Sequence, residues 1–265
     1  MRIGFAKYHG AGNDFILIDN RDGLISLSSL DIQYLCHRHY GIGSDGLILL
    51  ENTEGYDFLM RFYNPDGGSG MMCGNGGRCI VAFAFDLGII SKDNTTRFLA
   101  ADGEHSAIVH SHNNNLFSIS LSLIDVDEIK EYEDGYYVNT GTSHFVRFVD
   151  NNNYDIIQDG RAIRYDNRFS SLGGSNANFV IDKALDRIEV RTYERGVEAE
   201  TLACGTGITA SALAQAYRNK EEVNKINIKA RGGELEVSFQ RDGGRFTSIF
   251  LKGEAQKVFD GEVWI

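Results

Sequence analysis

Two short stretches of the chain each place a cysteine before a flexible turn and an apolar run. Cys73 precedes GNGGR and then CIVAFAF, and Cys204 precedes GTG and then ITASALAQAY. Glycine lets the backbone approach a ligand closely. A helix that begins there offers N–H groups and the positive end of its dipole to an anion. The same field lowers the pKa of a cysteine. The two stretches therefore predict two thiols that converge on one small anionic substrate.

The spacing of polar residues around the two cysteines is the same in both halves of the chain. Asn64 and Arg195 each lie nine residues before the cysteine of their half, and Asn13 and His144 each lie sixty residues before it. Both halves read in the same order: glycine turn, strand, short helix, two strands, cysteine turn, helix and strand pairs. This order predicts a duplicated α+β unit.

Composition excludes several classes of function. The chain has 265 residues, 42% of them hydrophobic, and a net charge of −11, which argues against binding to nucleic acid or to an anionic membrane surface. The N-terminal segment lacks the apolar core of a signal peptide, and no apolar run approaches a membrane span, so we expect a cytoplasmic protein. The four cysteines are then expected to be thiols. The length fits two domains, joined near 124–134.

The pattern of apolar residues and turn residues predicts several further helices and strands. Helices are expected over 30–38 and 155–165, and hairpins over 106–121 and 234–251, each around a turn rich in asparagine or glycine. The tail 255–265 reads as a strand that closes one of the sheets. Three histidines are expected to be solvated on the first hairpin: His105, His110 and His112.

Two cysteines in equivalent places suit one acid and one base on opposite faces of a carbon. Removing a proton from an amino-acid Cα leaves a carbanion, which dipoles at the adjacent carboxylate stabilise. The first N–H groups of the two helices would supply these dipoles. His144 and Glu194, at strand ends, are candidates to partner the thiols. Cys36, His37 and His39 lie close together, but a structural metal site needs four ligands, so no metal is expected.

The sequence also resembles a known family. KYHGAGNDF, FYNPDG, MMCGNGGRC, SNANFV and YERGVEAETLACGTG resemble the diaminopimelate epimerase family, in order and over essentially the full length. The resemblance implies a cofactor-independent epimerase that converts LL- to meso-diaminopimelate in lysine and peptidoglycan precursor synthesis. It implies an α+β fold of two pseudo-symmetric domains, each a barrel-like, mostly antiparallel sheet around a central helix. Residues 1–123 with 254–265 would form one domain and 124–253 the other, with the active site in the cleft. A homodimer is a candidate assembly.

The resemblance also implies roles for individual residues. Cys73 and Cys204 would be the acid–base pair, tuned by His144 and Glu194. Substrate contacts would be made by Asn13, Asn64, Gly74, Asn75, Asn176, Glu194, Arg195, Gly205 and Thr206. Arg195 suits a bidentate contact with the distal carboxylate.

This chain departs from the family pattern at three points. Thr142 stands where many members have asparagine, and Gly46 stands where some have glutamine. The segment from Arg195 to Cys204 is one residue longer than usual, so we expect its loop to bulge.

Two other functions fit the same cysteine turns. One is a racemase or epimerase for a different amino acid. Proline racemases also carry two cysteine turns, but typically with histidine where Asn75 stands. The other is a small-molecule binding or thiol-redox protein that transfers no proton.

Overall fold

The computed structural model describes residues 1–70, 72–151, 154–219 and 222–265, so Met71 of the first cysteine motif lies outside the described residues. The chain divides into two compact units. The first comprises Met1–Leu121 with Gly253–Ile265, and the second comprises Ser122–Lys252. In the described ranges, no helix combines the length and the apolar composition that crossing a membrane requires.

The first unit is a ring of strands. Its strands are β1 (Arg2–Gly10), β2 (Asn13–Asp19), β3 (Gly46–Glu51), β4 (Phe58–Tyr63), β5 (Thr95–Ala100), β6 (Gly103–Asn113), β7 (Leu116–Ser122) and the second part of β16 (Arg245–Trp264). The strands pair in chain order from β1 to β7. β16 then pairs with β7 through residues 253–256 and with β1 through residues 256–264, which closes the ring. The β2–β3 and β4–β5 pairs are parallel.

Each parallel pair in the first unit is bridged by a helix, as the geometry of parallel strands requires. Helix α1 (Ser29–Cys36) links β2 to β3, and helix α2 (Gly74–Asp86) links β4 to β5. Ser28 caps α1 in a capping box with Asp31. Every residue of α2 from Gly74 to Ala84 is buried, and its apolar side chains pack against all the strands of the ring. A helix that is apolar all round is stable only when it is enclosed in this way.

The second unit repeats this plan. Its strands are β8 (Ile129–Tyr132), β9 (Gly135–Asn139), β10 (Ser143–Phe148), β11 (Asn176–Ala184), β12 (Arg187–Glu194), β13 (Ala199–Thr201), β14 (Lys225–Ala230), β15 (Gly233–Asp242) and the first part of β16. They pair in the order β8-β9-β10-β11-β12-β14-β15-β16, with β13 beside β12. Val126, just before β8, bridges to Phe246 of β16. The parallel pairs are β10–β11 and β12–β14.

The helices of the second unit occupy the same places in the order of elements as the helices of the first unit. Helix α3 (Ile156–Arg164) and a short 3₁₀ helix (Asn167–Leu172) link β10 to β11, and α4 (Gly205–Arg218) precedes β14. Asp155 caps α3. Helix α4 is buried at Gly205 and from Gly207 to Ala216, and its apolar side chains form the core of this unit. The expected fold of two pseudo-symmetric, barrel-like sheets, each around a central helix, is confirmed.

The structure corrects one expectation about the first hairpin. Its strands β6 and β7 turn at Asn114 and Asn115 as predicted, but His105 is not solvated. It is 5% exposed, stacks on Phe98 with ring centroids 5.5 Å apart, and bonds to Asp102 at 3.0 Å. β6 begins three residues earlier than the predicted hairpin, and His105, its third residue, lies on the buried face of this strand.

Candidate active site

In the first unit, Cys73 is the N-cap residue of α2. Its backbone is extended, and its carbonyl oxygen accepts the first helical bond from the N–H of Gly77, at 2.7 Å. The thiol is half-buried and donates to Oδ1 of Asn13 at 3.6 Å. The predicted position of this cysteine, at the start of a buried helix, is the position that the structure gives it. The N–H groups of Gly74 and Asn75 lie in the first turn, where helical N–H groups have no partner within the helix.

A chain of hydrogen bonds fixes the orientation of the amides beside Cys73. Arg78 donates to Oδ1 of Asn75 at 2.8 Å, and Nδ2 of Asn75 donates to Oδ1 of Asn13 at 3.2 Å. Nδ2 of Asn13 donates in turn to Asp45 at 2.8 Å. A guanidinium only donates and a carboxylate only accepts. The two ends therefore set the direction of every bond between them, and Oδ1 of Asn13 faces the thiol.

Arg78 and Asp45 were not among the residues predicted for the site. Arg78 is completely buried, and besides Asn75 it bonds to the carbonyl oxygens of Gly74 and Glu254 at 3.3 and 3.4 Å. Burial lowers the pKa of this guanidinium. The signal for it in the sequence was a charged residue directly before the apolar run 79–85 of the same helix.

Asn64 and Gly46 both lie beside Phe62. Asn64 directly follows β4 and begins the turn 64–68, and its Oδ1 lies next to Gly70. A side chain at position 46 would overlap the ring of Phe62, and so would one at Gly70. Phe62 thus occupies the space beside residue 46, where some family members carry a glutamine, and any larger residue there requires Phe62 to move.

In the second unit, Cys204 is the N-cap residue of α4. Its backbone is extended and its carbonyl oxygen accepts from the N–H of Ile208 at 2.8 Å, which matches Cys73. Cys204 is 7% exposed, and its Sγ lies 3.4 Å from Oγ1 of Thr206. The carbonyl of Thr206 accepts a bond from the hydroxyl of Thr140 at 3.0 Å. This bond ties the loop before β10 to the first turn of α4.

His144 lies on β10 and connects to Cys204 through hydroxyl groups. Its Nε2 is 2.9 Å from Oγ1 of Thr206 and 2.9 Å from Oγ1 of Thr142, which donates to Thr206 at 3.3 Å. Burial, helped by the positive charge of Arg195, lowers the pKa of His144 to about 3. The imidazole is therefore neutral at physiological pH. Thr142, which replaces the asparagine of many family members, supplies a hydroxyl to this network.

Three further predicted residues, Asn176, Glu194 and Arg195, lie where β11 begins and where β12 ends. Burial raises the pKa of Glu194, and the nearby side chains of Thr201 and Cys204 lower it in part. Asn176 is buried: its Nδ2 donates to the Ser143 carbonyl at 3.0 Å and its Oδ1 accepts from the backbone N–H of Arg195 at 2.8 Å. The amide of Asn176 thus joins the start of β10 to the end of β12.

The guanidinium of Arg195 is held by backbone oxygens. Nη1 donates to the carbonyls of Leu172 and Gly174, at 3.0 and 3.3 Å. Residues 195–198 form a four-residue turn between β12 and β13, where Glu198 has a left-handed φ of 58°.

The structure gathers the predicted residues into one group in each unit. The first unit brings together Asn13, Cys73, Gly74 and Asn75, and Asn64 lies in the turn that leads to them. The second brings together His144, Asn176, Glu194, Arg195, Cys204, Gly205 and Thr206. Asn178 was missed. It lies two residues after Asn176 on β11, so the alternation of a strand could have placed both on one face.

Comparison with known proteins gives the family. The family model described as diaminopimelate epimerase matches residues 5–121 and 136–258, which is most of the chain. The chain belongs to the diaminopimelate epimerase family. One relative in it, the diaminopimelate epimerase of Flavobacterium psychrophilum, is 48% identical over 256 residues, which cover 96% of this chain and 97% of that protein. The diaminopimelate epimerase of Chlorobaculum tepidum is 40% identical and is matched over 96% of this chain and 98% of its own length.

More distant solved structures share the fold of this diaminopimelate epimerase family member. A phenazine biosynthesis protein of the PhzF family from Bacillus anthracis has a TM-score of 0.77 at 14% identity, with full coverage of both chains. A hydroxyproline epimerase from Agrobacterium vitis has a TM-score of 0.71 at 13% identity, covering 99% of this chain and 91% of that chain. At these identities the likeness concerns the fold alone.

Proposed function

We propose that this protein interconverts LL- and meso-diaminopimelate without a cofactor, in the supply of lysine and peptidoglycan precursors, through proton transfer at Cα by Cys73 and Cys204. The observation that carries the proposal is the matched placement of the two cysteines. Each is the N-cap residue of a buried central helix in its unit. Membership of the diaminopimelate epimerase family supports the choice of substrate.

In the proposed reaction, one cysteine is a thiolate and the other is a thiol. The thiolate removes the Cα proton and becomes a thiol, and the electron pair of the broken C–H bond remains as a carbanion conjugated with the carboxylate. The opposite thiol then donates its proton to the other face of Cα and becomes a thiolate. One proton leaves and one arrives, so the configuration inverts and the roles of the two cysteines exchange for the reverse reaction.

The remaining predicted residues hold the substrate or adjust the thiols. N–H groups of Gly74, Asn75, Gly205 and Thr206 are proposed to bind the carboxylate next to the reacting carbon, where they stabilise the carbanion. Arg195 is proposed to bind the distal carboxylate with its planar fork. Asn13, Asn64, Asn176 and Glu194 complete the substrate contacts, and His144 and Glu194 adjust the ionisation of the thiols.

The test compares single cysteine variants in the purified protein, with conversion of LL- to meso-diaminopimelate followed by chiral chromatography. Cys73→Ser and Cys204→Ser should each lose activity by about 10² or more, because a serine hydroxyl is a far weaker acid than a thiol. Cys36→Ala is the matched control, since Cys36 is a buried thiol of α1 that bonds to Ser44. It should keep most of the activity of the folded protein.

The same assay separates the alternatives. Turnover of proline or hydroxyproline, with none of diaminopimelate, would indicate an epimerase of different specificity. Substantial turnover in either serine variant would remove that cysteine from the acid–base pair. No turnover of any amino acid by a folded wild-type protein would contradict the proposal.

A further inference from the structure

The side-chain amide of Asn178 has one orientation that its neighbours allow. Its Nδ2 lies 3.1 Å from Nδ1 of His144 and 3.4 Å from the carbonyl oxygen of Phe145. A carbonyl oxygen can only accept a hydrogen bond, so the atom that faces it must be the NH₂ group. The other amide atom, Oδ1, accepts from the hydroxyl of Thr192 at 2.9 Å. Exchanging the two atoms would bring two oxygens together at Phe145.

This orientation of the Asn178 amide determines which ring nitrogen of neutral His144 carries the proton. Because Nδ2 of Asn178 donates to Nδ1, Nδ1 must accept, and a neutral imidazole then carries its single proton on Nε2. His144 and Asn178 are both 0% exposed and Thr192 is 3% exposed. Water therefore has little access to compete for these bonds. The low pKa of His144, which burial causes, supports the neutral form.

With its proton on Nε2, His144 begins a series of hydrogen bonds that all point the same way. Nε2 donates to Oγ1 of Thr142 or Thr206, each at 2.9 Å, and Thr142 donates to Thr206 at 3.3 Å. The hydroxyl of Thr206 is then left to donate to Sγ of Cys204 at 3.4 Å. A donor aimed at the sulfur favours the thiolate over the thiol.

We propose that Asn178 is a positioning residue that keeps the proton of neutral His144 on Nε2, so that Thr142 and Thr206 direct a hydrogen bond at the thiolate of Cys204. His144 in this arrangement is a hydrogen-bond donor rather than the base that takes the proton of Cys204. The significance for catalysis rests on the proposed epimerase function, but the proton position and the state of the thiol are measurable without substrate.

The direct test is side-chain ¹⁵N NMR on the full-length protein labelled at histidine, with His144 assigned from its absence in His144→Gln. The proton should be on Nε2 in the wild type. The side chain in Asn178→Asp has the same shape as asparagine, but its carboxylate only accepts hydrogen bonds. The proton of neutral His144 should therefore move from Nε2 to Nδ1. Thr192→Val is the matched control: it removes the bond to Oδ1, but the Phe145 carbonyl still orients the amide, and the proton should stay on Nε2.

The second readout is the alkylation rate of Cys204 by iodoacetamide at one fixed neutral pH, mapped by peptide mass spectrometry. Asn178→Asp should slow it about tenfold, the change expected when one hydrogen bond to a charged group is lost. Alkylation of Cys73 should be unchanged in the same sample.

A wild-type proton on Nδ1 would overturn the proposal, whatever Asn178→Asp does. A moved proton with unchanged Cys204 alkylation would overturn the link to the thiolate. If both readouts behave as expected while diaminopimelate is not turned over, the proposed function fails and the role of Asn178 stands.

Discussion

A methyl group added to Gly207 tests the packing between α4 and the His144 network. Gly207 is the third residue of α4, and a Cβ there would overlap Oδ1 of Asn178 and lie 3.2 Å from the ring of His144. Gly76 is the third residue of α2 and provides the matched control. A Cβ there would lie 3.2 Å from Cδ1 of Ile48 and 3.4 Å from the terminal methyl of Met60, which are both ends of flexible side chains.

The two substitutions differ in what must move. Alanine raises helix propensity by about 1 kcal/mol at either site. At Gly207 the overlap costs about 1–3 kcal/mol, because Asn178 is buried and held by Thr192 and His144. Displacing its amide costs about 1 kcal/mol more in lost hydrogen bonding. Gly207→Ala should therefore lower the free energy of unfolding by about 2 kcal/mol, and Gly76→Ala should leave it nearly unchanged.

Thermal unfolding followed by far-ultraviolet circular dichroism measures the difference. A loss of about 2 kcal/mol lowers the Tm by about 4–8 °C for a chain of this size. Activity should fall in Gly207→Ala even below its Tm, because His144 loses its partner at Nδ1. A Gly207→Ala protein with the wild-type Tm and activity, or an equal fall in Tm for Gly76→Ala, would refute this reasoning.

Two further predictions concern Arg195 and His144. Arg195→Lys should raise the KM for diaminopimelate with a smaller change in kcat, because lysine keeps the charge but loses the planar fork; an unchanged KM with a lower Tm would show that Arg195 only braces the carbonyls of Leu172 and Gly174. The pKa of His144 is about 3 in the folded protein and about 6.5 in an unfolded chain, so between these values the unfolded state binds a proton that the folded state does not. The free energy of unfolding should therefore decrease by about 3 kcal/mol as the pH falls from about 6.5 to about 4, measured by urea titration. His144→Gln should show a smaller decrease, and an equal decrease would mean that His144 is not the group responsible.

The positions of the two cysteines could be predicted from the sequence because local chemistry determines them. A glycine-rich turn before a continuous apolar run has few alternatives to the start of a buried helix, and α2 and α4 both begin at the residue after the cysteine. The hairpins were equally predictable, because alternation and turn residues are short-range signals. The tail strand expected over 255–265 is the second part of β16, which is continuous from Arg245.

The positions of Asn178, Arg78 and His105 could not be predicted in this way. Asn178 gains its role from Phe145 and Thr192, which β10 and β12 bring to either side of β11. Arg78 lies in α2 and bonds to the carbonyl oxygen of Glu254 on β16, and His105 is buried because it lies on the inward face of β6. Asn178 and Arg78 depend on contacts between distant segments, and His105 depends on the register of β6; the sequence pattern contains the segments but not their register.

The central claim is that two cysteines transfer protons on opposite faces of one carbon, and incubation of LL-diaminopimelate with the protein in heavy water tests it most directly. Early in the reaction, the meso product should carry deuterium at the inverted Cα, and the remaining LL substrate should carry almost none. This asymmetry follows because the acid that donates to the product exchanges with solvent, whereas the base that acts on the substrate still holds its protium. Deuterium that enters the LL substrate as fast as the product, or product that keeps its original Cα hydrogen, would contradict the two-cysteine account.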